Sequence, residues 1–452
     1  MSRAEIRKMR KEWKEDLPAF IAAQKHFFPD LIKRFHQVAD PRQQGSTQYS
    51  IEEILYTIIM KNVCNITSMQ SMTDTFNNEN IVRNMSAILG TQEREDVPHY
   101  VTINECLEKL DPTELEGLRK AMVYTLLRKK SFNDAKFLKK YWMIIIDGTG
   151  LFYFKKKHCE NCLKQVKNRG TEDEQIFYYH KVLEAKIVLG DQTVISIASE
   201  FIENENESVS KNDCEQNAFK RLAKKLKKEF PRLPICILGD SLYASEPVFD
   251  LCKKNNWAYL IRYKDGSIPS IAQEFNTIKE MNEAGKRVIF EEKEYKRRKR
   301  ESLKHQMKWV SELPYKKHEI TVLELKIEKE GKETGSFQWL TNLTITGKTA
   351  YDFARAGRKR WKIENEGFNI QKHQRYEIEH ANSLHSQAMK NHYLLTQIAD
   401  ILMQMYEFKN KSIRKVKRSI KNISSQLLAS FGRQLTKEDI SNTQLNTQSG
   451  FN

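Results

Sequence analysis

The sequence predicts an α/β protein: a mixed sheet with helices on both faces, interrupted by a β-rich insertion and preceded by an all-helical N-terminal domain. Three observations carry this. Residues 1–138 repeat apolar side chains at helical spacing, as in IEEILYTIIMKNV and LEGLRKAMVYTLLRKK. From residue 139 the chain turns to runs rich in Ile, Val, Tyr and Phe, with the period of strands. Two of these runs, YWMIIID and PICILGD, end in an aspartate, Asp147 and Asp240.

The elements follow in order. Between the two long N-terminal helices, SMQSMTDTFNNENIVRNMSAIL and VPHYVTINECLEKLD read as short helices separated by polar turns, with no clear helix-turn-helix signature. The catalytic-core region 139–274 holds strands 140–147, 178–190 and 192–202, the last two joined by the hairpin turn LGDQT. A basic helix 213–229, strand 234–240, helix 245–255 and strand 257–263 come next. Three strands in meander followed by helix-strand-helix-strand allow the first and fourth strands to lie side by side, which would bring Asp147 and Asp240 together. Residues 275–347 read as the β-rich insertion, with Gly331 and Gly335 marking a hairpin loop in EKEGKETG. In 348–410 a long helix starts at Thr349, an N-cap with Asp352 at N3, and carries Arg355, Arg358, Arg360 and Glu364. Residues 411–452 read as a basic amphipathic helix and a disordered polar tail.

Bulk properties narrow the function. A chain of 452 residues exceeds one ordinary core, so several domains are expected. A net charge of +17 suits a polyanion and makes nucleic acid the default partner, although ribosome-associated and membrane-surface proteins share such a balance. The charged N-terminus, MSRAEIRKMRKEWKED, has no apolar core of a signal peptide, and no apolar run approaches the ~18 to 20 residues that span a bilayer. Seven cysteines, an odd number without a secretion signal, read as reduced thiols in a cytoplasm.

Asp147, Asp240 and Glu364 are the candidate catalytic residues. Alone, Asp147 before Gly-Thr-Gly reads as a turn residue and Asp240 as a helix cap. Together, two carboxylates driven to the edge of a core call for a cation. Glu364 adds a helix-borne carboxylate with Arg360 four residues before it; its ordinary reading is an i,i+4 ion pair. Three carboxylates suffice for Mg²⁺ or Mn²⁺, which keep water and substrate phosphate in their shell. The basic runs KRRKR at 296–300, with Arg297 and Arg298, and RKR at 358–360 read as phosphate contacts beside such a centre.

IIIDGTG, ILGDSLYASEPVF, and WLTNLTI followed by RKRWKIENEGFNIQK resemble the three blocks of the DDE transposases of insertion-sequence family four, the YREK group. The resemblance runs from about residue 20 to 405. It implies a ribonuclease H-like core, Mg²⁺-dependent cut-and-paste chemistry on double-stranded DNA, and Asp147, Asp240 and Glu364 as metal ligands. It also implies terminal inverted repeats and target DNA as partners, a homodimer on DNA, and a bacterial, nucleoid-associated cytoplasmic protein. End recognition falls to the N-terminal helices, and Trp339 takes the place of an aromatic that stacks on DNA; an aromatic on a strand is otherwise core. The pattern Y-x2-R-x3-E-x6-K is partly kept. Arg360 and Glu364 fit, Gly357 stands at the tyrosine position, and Gln371 at the lysine position with Lys372 one step later. A bulge in ENEGF, eased by Gly367, would bring Lys372 into place. Choosing Glu366 instead of Glu364 would put Lys362 and His373 at the Arg and Lys positions, a poorer match. Two rivals use the same residues: an inactive or domesticated DNA-binding relative, and a nuclease without strand transfer.

Cys159-x-x-Cys162 has chelating spacing. Cys214, with His158 or His180, completes a candidate structural zinc site; the ordinary reading is two loop thiols without metal.

Overall fold

A computed structural model describes residues 16–436 except 44, 46, 205–211, 265, 282–286, 297–298, 411–412 and 414–417. The expected phosphate contacts Arg297 and Arg298 lie outside the described residues, as does the polar tail from 437.

Helices α1 (Asp16–Phe27), α2 (Leu31–Phe35), α3 (Ile51–Val63), α4 (Met69–Phe76), α5 (Glu79–Leu89), α6 (Tyr100–Lys109) and α7 (Pro112–Leu127) come first. α3 opens on a capping box, Ser50 with Glu53, which satisfies two free amides of its first turn. The sheet follows with β1 (Trp142–Phe154), β2 (Leu163–Lys167), β3 (Gln175–Val188) and β4 (Val194–Ile202). Next come α8 (Glu215–Glu229), β5 (Ile235–Gly239), α9 (Glu246–Asn255), β6 (Ala258–Tyr263) and α10 (Pro269–Met281). Strands β7 (Arg287–Lys296), β8 (Lys299–Tyr315), β9 (His318–Lys329) and β10 (Lys332–Thr341) precede α11 (Ala350–Arg358). A 3₁₀ turn (Lys359–Trp361), a π-helical turn (Ile363–Phe368), α12 (Asn369–His373), α13 (Ser386–Lys409) and α14 (Ile420–Phe431) complete the order.

Among the described residues the strands form one ten-stranded sheet, β2-β3-β1-β5-β6-β10-β9-β8-β7, with β4 paired to β3. β3 runs antiparallel to β1 and β4, whereas β5 and β6 run parallel to β1, so the sheet is mixed. The first and fourth predicted strands are neighbours, as the connection rules allow. The strands of the 275–347 region continue this same sheet through β10 on β6.

The central strands are buried on both faces, hence their unbroken apolar runs. Ile144, Ile146, Ile235, Ile237 and Ile261 face the core shared with α8, α9 and α10. Met143, Ile145, Cys236, Leu238 and Leu260 face the core under α11 and the π turn. α13 is buried on nearly every side, contacting α1, α3, α6, α7 and β4, so the N-terminal helices share their core with it. Buried Asp16 pairs with Arg418 at 2.7 Å and accepts the Tyr406 hydroxyl at 2.9 Å, tying α1 to the chain beyond α13. No helix in the described residues is long and apolar enough to cross a membrane.

Three local expectations change. β1 does not stop at Asp147 but runs on to Phe154, with a register shift after Gly150. β2 is a short added strand paired with β3. Thr349 precedes α11 without capping it: its hydroxyl donates to the Thr346 carbonyl at 3.3 Å and accepts the Thr346 amide at 3.0 Å.

His392 on α13 is buried, and its Nε2 donates to Asn104 Oδ1 at 2.8 Å, while Lys61 adds positive charge nearby. Burial, aided by Lys61, pushes its pKa down to about 3. Below the unfolded value of 6.5 the unfolded chain takes up a proton that the folded chain refuses, so stability is lost as the pH is lowered through this window. Relative to His392→Gln, the wild-type chain should lose about 2 kcal/mol of unfolding free energy between pH 7.5 and 5. Denaturant midpoints of both proteins across that range test this; parallel curves would show that the imidazole is not held neutral.

Candidate active site

The site is built by strand register. β1 and β5 pair in parallel with Met143 opposite Cys236 and Ile145 opposite Leu238. Carried two residues further, the same register sets Asp147 beside Asp240 on the face that carries Met143, Ile145, Cys236 and Leu238. β5 pairs with β6 so that Gly239 opposes Ile261, and one step on Asp240 meets Arg262. Across β10, Arg262 opposes Trp339, and across β3, Asp147 opposes Glu184. One row of the sheet therefore reads Glu184, Asp147, Asp240, Arg262, Trp339.

Each member has a different environment. Glu184 is fully buried and accepts hydroxyls from Ser196 at 2.7 Å and from Ser199, so each of its oxygens has a partner. Asp147 is half-buried, accepts the Gly148 amide at 3.0 Å, and has Arg360 Nη1 3.6 Å from its Oδ2. Burial pushes its carboxyl pKa up to about 6; Arg360 opposes that rise, while Asp240 and Glu215 reinforce it. Asp240 caps the 3₁₀ turn Ser241–Tyr243, accepting the Leu242 amide at 2.9 Å. Its second oxygen makes no hydrogen bond among the described residues.

Glu215, absent from the sequence reading, begins α8 on the opposite face beneath Gly148. It pairs with Lys181 and accepts the Tyr243 hydroxyl at 3.2 Å. A Cβ at residue 148 would come within 2.7 Å of its carboxylate, so the glycine after Asp147 is a close-approach position rather than a turn. Arg262 was also missed; its guanidinium donates to the carbonyls of Gln338 and Ser336 at 2.9 and 3.2 Å.

Glu364 is the second residue of the π turn, half-buried, and its carboxylate makes no hydrogen bond or ion pair among the described residues. Arg360, one turn earlier, reaches Asp147, and the π turn packs against β1 and β4. The three carboxylates are not closed into a cluster with all ligand atoms within 4.8 Å. Glu366 points elsewhere: it pairs with Lys362 at 3.2 Å, and the Lys362 ammonium also donates to the Asp191 carbonyl in the β3–β4 turn. The extra residue of the π turn falls within ENEGF. Gln371 is thereby carried into the core, where it bonds Asp400 at 2.9 Å and Gln397 at 3.1 Å. Lys372 stays at the surface with Glu379 2.7 Å away.

The expected DNA-stacking role of Trp339 is corrected. Its side chain is 1% exposed, stacked on Phe337 with centroids 5.9 Å apart, and its indole fills the space in front of Gly357. A Cβ at residue 357 would lie 2.4 Å from Trp339 Cε2, so no tyrosine fits at this position of the motif. Arg358 sits over the Phe337 ring at 5.9 Å. Trp361, by contrast, is 48% exposed, with the Arg360 guanidinium 4.5 Å from its ring centre.

The cysteine expectation is corrected in part. Cys159, Cys162 and His180 come together, but Cys214 is exposed at the start of α8, outside the group. His158 packs edge-on against Phe154 at 4.1 Å and is likewise outside it.

Against protein-family models, residues 139–399 match the transposase DDE domain, more than half of the chain. The chain belongs to the DDE transposase family. Residues 32–121 match the domain described as DDE_Tnp_1-associated, which covers helices α2 to α6 and part of α7. No curated protein matches the chain. Membership makes this a transposase-type enzyme with DNA as its substrate class, and members of the family generally use divalent metal. The donor set beside β1 and β5 fits such a metal: hard oxygen ligands, one of them raised in pKa by burial that Arg360 and the Gly148 amide offset only in part.

Gly357 and Trp339 form a testable pair. Gly357→Ala should cost about 2 kcal/mol or more through overpacking, and less in a Trp339→Phe background. Thermal unfolding of the four proteins reads the coupling; additive effects would show that the indole does not abut residue 357.

Proposed function

We propose that this transposase binds terminal inverted repeats and performs both cleavage and strand transfer at Asp147, Asp240 and Glu364. The observation that carries the reading is the in-register pairing that sets Asp147 beside Asp240 on one face, with Arg360 of the Glu364 helix 3.6 Å from Asp147. Asp147, Asp240 and Glu364 would hold Mg²⁺ or Mn²⁺, which when bound would supply Lewis acidity to the attacking water or 3′-hydroxyl and offset charge on the phosphoryl oxygens.

The chain's own groups position the DNA. Arg360 presents a planar fork to a backbone phosphate, and Lys372 and Arg358 add point and fork contacts along the same strand. Lys372 serves at the lysine position because the π turn moves it one residue along the helix. Trp361, not Trp339, offers a free ring face next to Arg360, suited to stacking on a base at the cleaved end. The helices of 32–121 read the terminal repeat, and two chains act together on paired ends in the bacterial nucleoid. A single site serves both steps because in-line displacement at phosphorus needs only a different nucleophile.

Asp147→Asn, Asp240→Asn and Glu364→Gln should each lower cleavage and strand transfer about 10⁴-fold while binding a terminal repeat nearly normally. Glu366→Gln should keep activity within about tenfold. Gel assays with intact and pre-cleaved ends separate the steps. A dead Glu366→Gln beside an active Glu364→Gln would refute the assignment, and cutting without joining of pre-cleaved ends would favour a plain nuclease.

A further inference from the structure

The connection from β1 to β2, residues 155–162, reads KKKHCENC and has almost no apolar side chain to hold it to the fold. Yet its end is fixed. Cys162 is buried, Asn161 bonds the Asn204 backbone and approaches Ser386 Oγ at 3.2 Å, and Asn204 donates to the Cys162 carbonyl at 3.0 Å. At the centre of this contact three soft ligand atoms form a near-equilateral triangle. Cys159 Sγ and Cys162 Sγ are 3.4 Å apart, and His180 Nε2 on β3 lies 3.4 Å from the first and 3.3 Å from the second.

That triangle matches one face of a zinc tetrahedron. Bond lengths of about 2.3 Å to sulfur and about 2.0 Å to nitrogen imply edges of roughly 3.5 to 3.8 Å, a few tenths longer than those observed. The sulfurs are too far apart for a disulfide, which needs about 2.05 Å. Backbone amides also point at them, that of Asn161 at Cys159 and those of His158 and Cys159 at Cys162. Cys159 also lines a surface cleft with Lys157, His158, Glu160 and His385, from which water can supply a fourth ligand.

We propose that Cys159, Cys162 and His180 bind a structural Zn²⁺, separate from the catalytic carboxylates, that pins the β1–β2 connection to β3 beside the start of α13. On binding, the two thiols release their protons to solvent and His180 coordinates through neutral Nε2. The site needs neither Cys214 nor the catalytic activity. Its role is mechanical: it fixes the far end of the strand that carries Asp147.

Full-length protein purified without chelator should contain about one zinc per chain by elemental analysis. Cys162→Ser and His180→Ala should fall to trace zinc, whereas Cys214→Ser and Asp147→Asn should keep it. Should the first two fail to fold, the wild-type chain decides alone. Stripping zinc with a chelator should lower its melting temperature, zinc should restore it, and cobalt should give the visible bands of a tetrahedral thiolate site. Zinc-free protein with two freely alkylated thiols at 159 and 162, a disulfide between them, or zinc lost on Cys214→Ser would each overturn the proposal. Because Asp147→Asn leaves zinc in place, the outcome is independent of the catalytic reading.

Discussion

Parallel pairing of β1 with β5 in one register is the constraint on which the site depends. A slip of one residue would turn Asp147 or Asp240 into the opposite core, where a carboxylate would meet Ile144 and Ile237 instead of an open edge. The register is enforced by burial on both faces, since every residue from Trp142 to Ile146 and from Ile235 to Leu238 has a defined apolar neighbourhood. Two aspartates are thus held side by side by the packing of the aliphatic residues before them. The cost of that arrangement shows in the raised pKa of Asp147, whose burial is only partly offset by Arg360.

The helix that carries Glu364 is adapted to the same sheet. Gly357 lets α11 close on Trp339, and the π turn that follows adds one residue to the winding, which sorts Glu364 from Glu366 and Gln371 from Lys372. The polar side chains sent inward are satisfied there: Gln371 joins Gln397 and Asp400, and Lys186 reaches Gln397 at 3.1 Å. Glu366 is the exception, with one oxygen buried and unpartnered beside its Lys362 bond. A buried network of this kind fixes α12 against α13 and so fixes where the Glu364 segment leaves the sheet.

Much of the arrangement could be read from the sequence because it is written in short-range pattern. Apolar runs ending in Asp147 and Asp240, the LGDQT hairpin and the ENEGF bulge are all local signals, and the helical period marks the N-terminal segment. What escaped depends on pairs distant in the chain. Gly-Thr-Gly after Asp147 reads as a turn until Glu215 is known to press against Gly148. Trp339 reads as either core or DNA-stacking until the missing side chain at Gly357 is seen to be its pocket. Arg262 is hidden in the run WAYLIRY, where only strand register shows it standing next to Asp240. Cys214 looked like a ligand by residue type alone, whereas His180, on a strand eighteen residues from Cys162, is the one geometry selects.

The shared core of α3 and α13 also has a temporal meaning. Asn62 bonds Thr396 across 334 residues, and Asp16 meets Arg418 across 402. The partners of the first helices therefore leave the ribosome 334 residues or more after them. At about 5 to 20 residues per second, the apolar sides of α1 and α3 wait roughly 20 to 80 s for the helix that covers them. Throughout that interval the nascent chain carries an uncovered hydrophobic bundle, a natural client for chaperones, and a chain broken off before α13 should aggregate rather than persist as a free helical module.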